Sequence, residues 1–198
     1  MKGETVIRWF AVSCVIGGFF RGLMVPLAMA WGMDSVPELI AGVLGTLFMG
    51  IGMFGLYLHD IQRWGKLGFA GFALHAIGSF LLMAMVFSTL VLSAYDPAAL
   101  ASDTPPVPIM AAGVAMMPTM MLSMILIGIA TLRTKVMPAW PGILLLASPV
   151  LNFIPLSLFS NLSPLVWGLS FVWFGIELSK KAARVSSGAN SSTGGVSL

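Results

Sequence analysis

The sequence predicts an all-α fold: a polytopic transmembrane helical bundle of six helices with both termini in the cytoplasm. Three observations carry that expectation. The 198 residues are 58% hydrophobic and only 9% charged, with a mean hydropathy of +0.98, which leaves too little polar surface to cover a water-soluble domain. The apolar residues fall into six runs, each close to the ~20 residues that cross the hydrocarbon core of a bilayer. Lys and Arg gather in alternate breaks between these runs, as cytoplasmic loops do.

The runs, in order, are Val6 to Ala30, Pro37 to Leu58, Leu67 to Ala94, Pro108 to Leu132, Pro141 to Phe159 and Leu162 to Leu178. The first resembles a cleavable leader in having Lys2 and Arg8 before it and Ala28-Met29-Ala30 at its end. Arg21 interrupts it, however, and its length suffices to span, so it is read as a retained helix. The last two runs are parted only by Ser160-Asn161. A single helix from Pro141 to Leu178 would far exceed a bilayer and would carry Pro149, Pro155 and Pro164 in its interior. A tight hairpin at Ser160, Asn161 and Ser163 is therefore expected. The helical domain covers residues 1–185. Residues 186–198 are rich in Ser and Gly, cannot bury a core, and are expected to form a disordered cytoplasmic tail.

Charge sets the orientation. Lys2, Arg8, Arg63, Lys66, Arg133, Lys135, Lys180, Lys181 and Arg184 all fall on one side of a six-span arrangement, whereas Asp34, Glu38, Asp96 and Asp103 fall on the other. By the positive-inside rule the basic side is cytoplasmic, which places the chain in the cytoplasmic membrane. Trp9, Tyr57, Trp64 and Trp140 mark the inner interface, and Trp31 and Tyr95 the outer one. The scattered basic residues form no stripe that would bind nucleic acid.

Three cytoplasmic helix ends resemble one another: Phe54-Gly55-Leu56-Tyr57-Leu58, Ile127-Gly128-Ile129-Ala130-Thr131-Leu132 and Phe174-Gly175-Ile176-Glu177-Leu178. The first two lead into a basic turn and a returning helix, so spans two and three and spans four and five read as a possible parallel repeat of one hairpin. Small residues at helical spacing let backbones approach in lipid. Gly18 with Gly22, the series Gly42, Gly45, Gly52 and Gly55, and Gly68 with Gly71 are of this kind.

Polar side chains inside the hydrocarbon are costly and are the first candidates for function. Arg21 lies deep in the first span with no acidic residue at its level; it could snorkel toward Asp34 or Glu38, bond carbonyls, or hold an anion. His75 is the histidine clearly inside a span, open to roles as a hydrogen-bonding residue, a proton relay or, with Met49, a haem ligand. Asn152 falls between Pro149 and Pro155, where the helix loses hydrogen bonds. Met116, Met120 and Met124 share a face of the fourth span, flanked by Met117 and Met121. Their M-x-x-x-M spacing resembles the intramembrane methionine motif of the Ctr-type copper transporters, but only in that spacing, because those are three-span trimers. Adaptable packing is the expected role of these thioethers.

The lone Cys14 offers no disulfide framework, and no nucleophile elbow, zinc spacing or phosphate loop is present. The expected function is non-enzymatic: binding of a protein partner, of a second copy, or of a lipid-like ligand within the bilayer, with no catalytic residue, metal or cofactor. The alternative is a small-molecule or ion transporter built on Arg21, His75 and Asn152. A haem-bearing redox protein is a third.

Overall fold

The computed structural model describes residues 3–100, 106–152 and 157–193. Its helices are α1 (Gly3–Trp31), α2 (Val36–His59), α3 (Ile61–Tyr95), the single turn α4 (Pro97–Leu100), α5 (Val107–Thr134), α6 (Ala139–Asn152) and α7 (Ser157–Thr193). Setting α4 aside, these are the six expected helices, and no strand occurs among the described residues. Five of them are long and apolar enough to cross a membrane.

Local chemistry explains several ends. Pro37 pre-sets the first turn of α2, and the Glu38 carboxylate accepts the Asp34 N–H at 2.7 Å, doing the capping work that the Ser35 hydroxyl does not. Near the start of α3 the helix breaks at Gly65, whose φ of 61° and ψ of −168° suit glycine alone. That break turns Trp64 inward. Its indole N–H donates to the Leu56 carbonyl at 3.2 Å, and the ring is buried against Phe72. Trp64 therefore belongs to the core and not to the expected interfacial belt, whereas Trp9, Trp31, Tyr95 and Trp140 are exposed, as belt residues are.

The six helices close into a ring in chain order: α1 packs on α2, α2 on α3, α3 on α5, α5 on α6, α6 on α7, and α7 back on α1. The seams are made by glycine. Along α1 and α2, Gly45 abuts the backbone of Arg21 and Gly52 that of Cys14. Along α1 and α7, Gly175 abuts Ala11, and Gly168 abuts Gly18 and Gly22. Both pairs of helices are thus antiparallel, and the start of α1 lies at the same end of the ring as the last turns of α7. Gly71 beside Ile127 and Gly78 beside Met120 join α3 to α5 in the same way. The α2–α3 and α5–α6 hairpins share this antiparallel course but not their contacts: the Tyr57 and Phe72 rings meet at a tilt in the first, while Gly128 meets Gly142 in the second.

Two boundaries differ from expectation. Ser160, Asn161 and Ser163 lie within α7, so no hairpin turn occurs there; α6 ends at Asn152 and α7 begins at Ser157, and residues 153–156 lie outside the described residues. The expected fifth span is correspondingly a helix of 14 residues, about 21 Å long. Pro164 does not end α7, as is common for prolines in membrane helices with neighbours that satisfy freed carbonyls. The tail expected from residue 186 begins inside the last turns of α7, and 194–198 lie outside the described residues.

Candidate functional site

The close α1–α2 seam at Gly45 fixes the backbone of Arg21, and its side chain runs into the ring. There its guanidinium carbon sits 4.4 Å above the Trp167 ring, and Nη1 donates to the Met24 sulfur at 3.3 Å. Nε is buried without a partner. The snorkelling toward Asp34 or Glu38 that sequence allows does not occur. Glu38 is engaged with the Asp34 N–H and acts on Arg21 only through space, while the Trp167 face offers a cation–π contact that is strongest when desolvated. Among the described residues no carboxylate forms an ion pair with Arg21.

Arg21 and Trp167 line a chamber of about 260 Å³ inside the ring. Asn152 lines it too, together with Met116, Met117, Met120, Met121 and Met124 of α5. Two of the expected site residues, Arg21 and Asn152, thus converge, and so does the methionine row. Asn152 closes α6 instead of sitting in mid-helix, so the C-terminal end of α6 borders the same chamber as Arg21. Ser148 and Ser163, also on the wall, are satisfied by each other: their hydroxyls lie 3.1 Å apart, and Ser163 donates to the Ser148 carbonyl at 3.0 Å. Met117 and Asn152 are both exposed, so the chamber opens sideways toward the lipid-facing surface.

His75 does not enter this chamber. It is fully buried one ring away, stacked on Phe171 with centroids 5.4 Å apart and set edge-on to Trp167 at 6.3 Å. Its Nδ1 lies 3.4 Å from the Ser123 hydroxyl, and Nε2 has no partner. The packing does not fit haem. A macrocycle on His75 would occupy the space of Phe171 and Trp167, and Met49 points elsewhere, against the backbone of Gly17.

No family model, curated protein or solved structure matches this chain. The chemistry must therefore be read from the site alone. Trp167 escapes a sequence reading because an indole looks like one more apolar residue. The available signal is depth: it lies ten residues from the start of α7 at Ser157, too far in for an interfacial belt. In the folded chain its buried N–H, like Arg21 Nε, has no partner. Two unused donors, a positive charge and a flexible thioether wall have the chemistry that suits a negatively charged head with an apolar body. A soft cation such as Cu(I) would suit the thioethers, but it would have to share the chamber with the guanidinium.

Proposed function

We propose that this protein is a non-enzymatic membrane protein that binds a lipid-like anion within the bilayer, with Arg21 as the anchor for its head. The observation that carries this reading is the position of Arg21. Its guanidinium lies in a methionine-walled chamber that opens sideways at Met117 and Asn152, with Nε unpartnered and no carboxylate paired to it among the described residues. An ionised group this deep is retained at a cost. A ligand that brings the counter-charge turns that cost into affinity. The head would sit between Arg21, Trp167 and Asn152, and the tail would leave past Met117 into the acyl region. The methionines accommodate tails of different shape because their three rotatable bonds repack at little cost. Localisation in the cytoplasmic membrane with both termini inside belongs to the same reading and rests on the charge asymmetry of the loops.

Laurate, a soluble amphiphilic carboxylate, is the direct probe. Protein in phosphatidylcholine nanodiscs is expected to bind it saturably, and Arg21→Gln is expected to weaken binding by roughly 10- to 100-fold, the range for loss of a charge-assisted hydrogen bond. Equal binding by wild type and Arg21→Gln would refute the assignment.

A further inference from the structure

The α2–α3 seam lacks the close backbone approach that glycine gives its neighbours α1–α2 and α3–α5. Gly50 of α2 faces α3 across an ordinary gap, since a Cβ there would meet only the Ser79 Cβ at 3.8 Å. The two helices consequently part along their outer side. Two cavities of about 270 and 250 Å³ lie there end to end and share Gly50, Phe54 and Ala76, which makes them one apolar furrow on the surface that faces lipid. Small residues, Gly50, Ala73 and Ala76, form its floor, and the exposed rings of Phe54, Phe69 and Phe80 form its rims. At ~1.5 Å per residue the rise from Phe69 to Phe80 along α3 is about 16 Å, close to half of the ~30 Å hydrocarbon core and hence to the depth of one leaflet.

One end of the furrow is charged. Lys66 falls on the same face of α3 as Phe69, Ala73, Ala76 and Phe80, because alternating steps of three and four residues return to one side of a helix. It is exposed, as is Arg63 in the turn before it, and among the described residues neither forms an ion pair. Asp60, the acid of that connection, is taken by Lys181 at 3.2 Å. We propose that the furrow seats an anionic phospholipid from the leaflet at this end of the ring, with its phosphate on Lys66 and one acyl chain lying along Gly50, Ala73 and Ala76. Charge complementarity selects this occupant: basic residues at the mouth of a cleft between membrane helices hold anionic head groups. Width agrees with it. A helix ~10–12 Å across would ride on the three Phe rims, whereas an acyl chain reaches the floor between them. The site is separate from the Arg21 chamber and does not rest on the anion reading above.

Nanodiscs of phosphatidylcholine and phosphatidylglycerol in equal parts provide the test, with the lipid that stays on the protein measured by native mass spectrometry. Phosphatidylglycerol should be retained in preference to phosphatidylcholine, and equal retention overturns the proposal. Lys66→Gln should reduce the preference about fivefold, the effect of one basic residue beside an anionic lipid surface, and Arg63→Gln added to it should reduce it further; an undiminished preference in the double variant refutes the role of these charges. Ala76→Phe fills the furrow from its half-buried outer side and should release the lipid with every charge in place. Should that variant fail to fold, the wild type still decides: phosphatidylglycerol with a diazirine on its acyl chain should label the segments around Gly50 and Ala76, and labelling confined to other segments refutes the site. Arg21→Gln should retain the lipid. Loss in Arg21→Gln with none in Lys66→Gln would put the lipid in the chamber instead. A dimer in nanodiscs that Ala76→Phe converts to monomer would make the furrow an interface between copies, which also overturns the proposal.

Discussion

Trp167 does two things with one side chain. Its face holds the Arg21 guanidinium at 4.4 Å, and its N–H is buried without an acceptor. These contributions separate on substitution. Trp167→Phe keeps an aromatic face under the cation and removes the donor, so laurate affinity should fall about tenfold, the effect of one hydrogen bond to a charged group. Trp167→Ala should lower it further and leave a cavity beside Phe171. If titration finds Phe equal to Trp, the indole N–H has no part in binding. At this scale the sequence was informative about cost but not about direction. Arg21 and Asn152 stand out because a polar group within an apolar run is conspicuous, and both prove to face one chamber. His75 stands out for the same reason and yet lies behind Trp167, because helix rotation is set by packing and not by hydropathy.

The helices hold together through close backbone approach, because lipid offers no hydrophobic drive for their association. At the α1–α7 seam a Cβ on Gly168 would lie 2.5 Å from the Gly18 carbonyl oxygen, and one on Gly18 would lie 2.4 Å from that of Gly168. Neither neighbour is a side chain that can move aside. Gly168→Ala should therefore destabilise the protein by about 1–3 kcal/mol, as overpacking does, and lower its unfolding midpoint in detergent. Gly50 is the control, since its Cβ would meet only the Ser79 Cβ at 3.8 Å, an ordinary contact. Equal midpoints for Gly168→Ala and Gly50→Ala would contradict the seam. Glycine spacing made these contacts legible in Gly18, Gly22, Gly45 and Gly52. The α6–α7 boundary was not legible: Ser160-Asn161 is polar enough to suggest a turn, yet a helix with packed neighbours runs through it.

At the scale of the whole molecule, closure of the ring decides topology. Because Ala11 packs on Gly175 and Gly18 on Gly168, α1 and α7 run in opposite directions along most of their length. The start of α1 and the last turns of α7 therefore lie at one end of the ring. The turns at that end are joined by Lys181, whose Nζ donates to the Asp60 carboxylate at 3.2 Å and also to the Val136 carbonyl, tying α7 to the α2–α3 and α5–α6 connections. The same end carries Arg63, Lys66, Arg133 and Lys135, while Asp34 and Asp96 lie at the other. Short as it is, α6 must take part in the return, because α7 could not otherwise run antiparallel to α1. Fusions placed after Asp34, Asp96, Lys135 and Leu198 test this arrangement in cells. Alkaline phosphatase, active only outside the cytoplasm, should be active after Asp34 and Asp96 and silent after Lys135 and Leu198. A fluorescent protein that matures only in the cytoplasm should give the reverse pattern. A Leu198 fusion reading opposite to Lys135 would mean that α6 and α7 together cross once. The α1–α7 seam would then be wrong, and the chamber it encloses with it.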